Sequence, residues 1–356
     1  MQRVATELYE AMGALDNLSL DGQLLYSSWD WVHYRVPGFL ASSYRKLRRL
    51  ATSQAVDVVL FSSMVTAALA VPLRKVFQTN GITTAAIVHG QDVTTPFGPY
   101  QKFVPKVFNA VDAILPVSKA TGDQCLLRGL PASKLRVVPN GVKLERFEAL
   151  APHPTMRQEM FASLGRSLPE NALLLCTVGR QVKRKGFAWF IDQVMPRLPE
   201  HVHFWLAGDG PEENAITEAA RHHGLQDRVV RLGRITDAQL SHLLRGADLF
   251  MMPNIPVPGT MEGFGVVMLE AGLCGLPAVA ARLEGIQDVI TEGINGHLVE
   301  SGDADAFAGH NQRYEADRLT LRALSESAYQ HTKHTFGWPS VAQQYVDTLA
   351  DIRAGN

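Results

Sequence analysis

Short apolar runs alternate with amphipathic stretches along this chain, and the rhythm restarts once, after Pro152-His153-Pro154. Apolar runs of strand length, separated by stretches of helical length, are the pattern of parallel sheets with helical crossovers. In the first half, residues 56–61, 83–88, 113–117 and 135–138 read as strands, the last closing at Pro139-Asn140-Gly141. Residues 98–111 read as a helix among them. After the restart, 173–178, 203–207, 229–232, 249–252 and 278–281 read as strands. A chain of 356 residues exceeds what one core usually supports. The expectation is two open α/β units in tandem, 1–150 and 151–335, followed by a terminal segment, 336–356. In that segment Val341, Tyr345, Leu349 and Ile352 recur at helical spacing, and Pro339 suits a first turn.

The opening of the chain departs from this plan. Residues 1–8 already read as helix, whereas an open α/β unit normally begins with a strand central to its sheet. Either the chain starts late or its first unit is built without that strand.

Composition excludes more than it assigns. A net charge of -1 gives no reason to expect nucleic-acid binding. Residues 1–150 carry a surplus of five positive charges and the remainder a surplus of six negative ones. That asymmetry hints at an anionic partner for the first half, against plain scatter of surface charge. Cys125, Cys176 and Cys274 lie far apart in apolar surroundings, as buried thiols in a reducing compartment do. With no signal-peptide pattern and no run of eighteen apolar residues, a cytoplasmic protein is expected.

The chemistry concentrates in Glu262-Gly263-Phe264-Gly265-Val266-Val267-Met268-Leu269-Glu270. Val266–Leu273 reads as a buried helix ended by Gly275-Leu276-Pro277. Its N-terminus then presents unpaired N–H groups and positive dipole to the glycine loop, an arrangement that suits phosphate. Glu270, among Met268, Leu269, Ala271 and Leu273, needs hydrogen-bond donors if it is buried ionised, and sugar or ribose hydroxyls would serve.

In open α/β sheets ligands bind beyond the carboxyl ends of strands. One such loop, Gly179-Arg180-Gln181-Val182-Lys183-Arg184-Lys185-Gly186, offers four cations between glycines, with Arg180 and Lys185 best placed to clamp a diphosphate. The bland alternative is a solvated basic turn. Gly208-Asp209-Gly210-Pro211 is a tight turn permitting close backbone approach, a common feature of such folds. His89, beside Gly90 at the end of another strand, is placed to face a cleft, although a lone histidine is more often structural.

Taken together, residues 114–118, Pro139-Asn140-Gly141-Val142, Gly179-Arg180 with Lys185-Gly186, Gly208-Asp209-Gly210-Pro211 and 262–270 resemble the family 4 retaining glycosyltransferases. The likeness runs in order over nearly the whole chain. It implies an α/β fold of GT-B type, two Rossmann-like domains facing a cleft, with the donor nucleotide in the C-terminal domain and the acceptor mainly in the N-terminal one. The last helix would cross back to the N-terminal domain. The resemblance makes Arg180 and Lys185 the holders of the donor diphosphate and gives Glu270 the ribose hydroxyls. Glu262 would contact hydroxyls of the transferred sugar, with Gly263, Phe264 and Gly265 completing the cradle. His89 would border the reacting sugar. The turns at Gly208 and Gly210 would lie against the donor, and the nucleobase near Gly233 and Arg234.

The family transfers hexose from a nucleotide-diphosphate sugar without a metal or other cofactor, and no Asp-x-Asp motif accompanies the phosphate loops here. The implied reaction is front-face attack, with a diphosphate oxygen taking the acceptor's proton. Glu262 as a covalent nucleophile is the rival. An epimerase of the same fold and a non-catalytic sugar-nucleotide-binding partner are the competing functions. The family's usual first strand and Gly-rich loop are missing. Glu284 stands where the first of two glycines is common and Asp288 where Glu is, and residues 253–259 are unusually rich in proline.

The expected acceptor is a lipid-linked or polysaccharide-type glycan. The basic run Tyr44-Arg45-Lys46-Leu47-Arg48-Arg49-Leu50 reads either as a peripheral contact with anionic lipid on the inner membrane face or as a solvated helix face.

Overall fold

The computed structural model describes residues 2–16, 18–25, 29–146 and 153–355. They group into two units. The first comprises Met1–Gly141, Gly259–Phe264 and Gly337–Asn356; the second comprises Val142–Pro258 and Gly265–Phe336.

In the first unit, β1 (Val58–Phe61), β2 (Thr83–Val88) and β3 (Ala113–Pro116) form a parallel sheet in that order. Every residue of β2 is buried, as a central strand covered on both faces requires. Asp112 ties the strand starts together: its carboxylate accepts from the Thr84 backbone N–H and hydroxyl, both at 2.8 Å.

Residues 135–138 are not a strand, contrary to expectation. Leu135 bridges Ile114, and the N–H groups of Arg136 and Val138 donate to the carbonyls of Ile114 and Pro116 at 3.0 and 3.1 Å. Pro116 has no N–H to return, so the segment runs beside β3 without completing a ladder. The terminal helix Trp338–Ala354 belongs to this unit and lies against the opening helix Gln2–Gly13. It buries Val341, Tyr345, Leu349 and Ile352, and the Trp338 indole donates to Glu7 at 2.7 Å.

The second unit carries a parallel sheet of β4 (Leu173–Val178), β5 (Val202–Ala207), β6 (Val229–Gly233), β7 (Leu249–Met252), β8 (Ala278–Arg282) and β9 (Gly296–Glu300). Their spatial order is β6-β5-β4-β7-β8-β9. The chain therefore builds outward from β4 in one direction, returns, and builds outward from β7 in the other. The β4/β7 junction is the topological switch point, where such sheets bind ligands.

Helix Asp237–Gly246 opens on the Thr236/Gln239 capping box that its sequence predicts, with both reciprocal bonds formed. Helix Val266–Leu273 has its predicted bounds. It ends where Gly275, at φ +66°, adopts the left-handed turn favoured by glycine. The three cysteines are buried and unpaired by disulfides. Strand β9 escaped sequence reading, because Gly296-His297-Leu298-Val299-Glu300 has neither a continuous apolar run nor strict alternation.

Candidate donor-binding site

In the second unit the loops after β4, β5 and β6 are fastened by backbone contacts. Gly208 donates to the Gly233 carbonyl at 2.7 Å, and Gly179 donates to Ala207 at 3.0 Å. A Cβ on Gly208 would stand 2.1 Å from the Gly179 carbonyl oxygen, and one on Gly210 would stand 2.3 Å from that of Gln181. No side chain fits at either position, so the glycines expected to allow close approach serve the approach of loop to loop. The buried Gln181 secures the same junction through its side-chain amide, which donates to Gly208 at 2.8 Å, and its backbone N–H, which donates to Asp209 at 2.7 Å. Its role was missed because glutamine has no motif value in a basic loop.

The two cations after β4 differ sharply. Arg180 is exposed, and its side chain has no ion pair or hydrogen bond to another described residue. Lys185 is buried, with Nζ 3.9 Å from the Met252 sulfur at the end of β7. Gly186 follows at φ +68°, and a Cβ there would meet the Pro253 carbonyl at 1.9 Å. Ile255 also donates to the Arg184 carbonyl at 3.0 Å. The proline-rich segment after β7 is thus seated on the basic turn after β4. Both border the switch point.

Gly265, at φ +80°, caps helix Val266–Leu273. A Cβ on it would clash with the Met268 methyl at 2.7 Å and touch Met252 at 3.5 Å. Glu270 is buried on this helix, and Arg146 meets it: Nη1 lies 2.5 Å from Oε1, while Nη2 reaches Asp237 at 3.0 Å. Sequence reading foresaw that Glu270 needs donors but not that Arg146 supplies one. A partner 124 positions away leaves no local pattern. At the rim, Arg234 pairs with Asp209 at 2.5 Å, so this expected donor-binding residue is engaged by a neighbouring loop. Glu284, at φ +49°, holds a left-handed conformation, which explains why glycine suits its position.

The motif at 262–270 is divided between the units. Glu262, Gly263 and Phe264 group with the first unit, and Gly265 onward with the second. Gly263 lies flat on the end of β2, where its Cβ would stand 2.1 Å from the His89 carbonyl oxygen. Gly90, at φ +95°, meets Met261 and Gly263 in turn, at 3.1 and 3.0 Å from its own notional Cβ. Phe264 is buried. His89 and the Gly263 backbone are therefore brought together.

His89 Nε2 lies 3.0 Å from the Ser62 carbonyl, which can only accept, so the proton resides on Nε2. Burial lowers the His89 pKa, partly offset by the neighbouring Asp92 carboxylate, and the ring is neutral at pH 7. Asp92 accepts the His89 backbone N–H at 2.9 Å. Burial pushes its own pKa up, against the pull of His89 and of the backbone N–H groups of His89 and Met64.

Two parallel-sheet units, with cations and a helix N-terminus gathered at the switch point of the second, define an α/β protein of the GT-B class. Anabaena Alr3699/HepE in complex with UDP shares this fold at a TM-score of 0.71 and 21% identity, over 88% of this chain and 82% of that one. Residues 13–146 match the family described as Glycosyltransferase Family 4, and residues 172–317 match Glycosyl transferases group 1. The chain belongs to the family 4 glycosyltransferases.

Among its relatives, the amylovoran biosynthesis glycosyltransferase AmsK of Erwinia amylovora is 27% identical over 71% of this chain and 60% of its own length. The GDP-mannose-dependent alpha-(1-6)-phosphatidylinositol monomannoside mannosyltransferase of Mycolicibacterium smegmatis is 29% identical over 86% and 80%. This chain spans 60, 51 and 58% of the length of three of the curated relatives it matches.

Proposed function

We propose that this protein transfers a hexosyl group, with retention of configuration, from a nucleotide-diphosphate sugar to a hydroxyl of a lipid-linked or polysaccharide-type glycan. The observation that carries the reading is the switch point of the second unit. It combines Arg180, open to solvent, with the buried Lys185 and the N-terminus of the helix bearing Glu270. Two cations and a helix dipole suit a departing diphosphate, and supply the charge that a divalent ion provides in other transferases. Glu270 would take the ribose hydroxyls. Glu262, next in sequence to the Gly263 that packs on the His89 carbonyl, would take hydroxyls of the sugar. A diphosphate oxygen would accept the acceptor's proton as it attacks from the leaving group's side, so that no protein base is required. UDP in the Anabaena complex and GDP-mannose in the mycobacterial relative's name make uridine and guanosine donors the first to test.

Among the described residues no helix is long and apolar enough to cross a membrane. Arg45, Arg48 and Arg49 are exposed on helix Trp29–Thr52, while Tyr44 and Leu47 pack on the core. We place the protein in the cytoplasm, with this face against anionic lipid where the acceptor is lipid-linked.

Calorimetric titration with UDP, GDP and their hexose conjugates, followed by NMR of the product's anomeric proton, tests the reading. Retention with an α-linked donor yields an α product, and the rate is unchanged by a chelator. An inverted product overturns the front-face mechanism. Tight donor binding with no turnover on any glycan favours the binding-partner alternative.

A further inference from the structure

Arg146 stands outside every motif assigned to the donor, on the short turn Leu144–Arg146. Its guanidinium is nevertheless split between two carboxylates of the second unit, Glu270 in the interior and Asp237 at the rim. Those side chains are 5% and 87% exposed. Asp237 is the first residue of the helix whose Thr236/Gln239 box fixes its start, so the outer anchor has a defined position. A paired fork would commit both oxygens of one carboxylate. Here Nη1 donates to Oε1 of Glu270 while Nη2 donates to Asp237, so the fork spans the two carboxylates. A carboxylate buried this deeply requires a compensating partner, and the partner's direction sets the carboxylate's own.

We propose that Arg146 is a positioning residue for the donor ribose: it balances the charge of Glu270 and turns the carboxylate toward the ribose hydroxyls. Asp237 keeps the guanidinium in that place. The inference rests on the reading of Glu270 as the ribose acceptor.

The test is calorimetric binding of UDP and GDP, each against its 2′-deoxy counterpart, to the parent protein and to R146Q, R146K, D237N and E270Q. The parent favours the ribonucleotide by about tenfold, the worth of a hydrogen bond to a charged group. E270Q abolishes that preference. R146Q reduces it to less than about threefold while 2′-deoxy binding stays near the parental value, R146K restores part of it, and D237N falls between.

Equal weakening of both nucleotides in R146Q means general damage to the fold and overturns the proposal. So does a preserved ribose preference in R146Q alongside its loss in E270Q. If the parent binds neither nucleotide, or E270Q keeps the preference, it is the assignment of Glu270 that fails, and the role of Arg146 falls with it.

Discussion

The carbonyl oxygen of His89 occupies the space that a side chain on Gly263 would need, 2.1 Å from its notional Cβ. The carbonyl is backbone, so it can yield only if the end of β2 moves. Gly263→Ala should cost about 1–3 kcal/mol of stability, the usual penalty of overpacking. It should also slow transfer, because Glu262 is the neighbouring residue. Gly38, exposed in helix Trp29–Thr52 with nothing within 4 Å of its Cβ, is the control. Gly38→Ala should stabilise by about 0.5–1 kcal/mol. Urea unfolding and steady-state rates decide both.

Glu262 and Glu270 should separate kinetically. Glu270→Ala weakens nucleotide binding, whereas Glu262→Ala leaves nucleotide affinity near parental and lowers the transfer rate. Parental kinetics in both variants would show that the site lies elsewhere.

Arg180 is exposed and unengaged by the described residues, so Arg180→Ala should shift stability by less than about 0.5 kcal/mol. Its loss should weaken UDP or GDP binding by about 1.5–3 kcal/mol, the range for charge-assisted hydrogen bonds. Binding of the corresponding monophosphate should change much less. A variant that loses mono- and diphosphate equally would place Arg180 away from the terminal phosphate.

Burial lowers the His89 pKa, so between its ordinary 6.5 and the lower folded value the unfolded chain binds the extra proton. The His89 contribution to stability is therefore full above about pH 6.5 and is lost as pH falls through that window. Asp92, whose pKa is raised by burial, acts in the opposite sense as pH rises above its ordinary value. Denaturation of the parent against His89→Gln, from pH 8 down to pH 5, should show the parent's relative stability declining. A flat difference would mean that the imidazole titrates normally.

The cationic face of helix Trp29–Thr52 yields a simple vesicle prediction. Flotation with anionic vesicles should recover the parent, neutral vesicles should not, and R45E/R48E/R49E should remove the difference. Equal recovery with both vesicle types ends the membrane assignment.

The fold was largely legible because each strand is a short apolar run and helix boundaries carry their own chemistry, as Thr236 and Gln239 show. Residues 135–138 misled for a reason visible only in three dimensions: the edge they approach ends in Pro116, which cannot donate. Burial of an acid was equally incomplete as a guide. Asp248 is buried like Glu270, yet it serves the scaffold, pairing with Arg157 at 2.8 Å and Arg318 at 3.1 Å and accepting the Leu174 N–H.

Residue order alone determined the alternating elements, the glycine turns at strand ends and the family to which they belong, since each depends on neighbours within a few positions. Tertiary structure decided which groups meet across long intervals. It seated Gly263 on His89, fastened the loop at Gly208 to Gly179 and Gly233, and brought Arg146 to Glu270. Such pairings follow from the crossing order of the strands and the packing of whole helices, and no local window of sequence encodes a distance between segments a hundred residues apart.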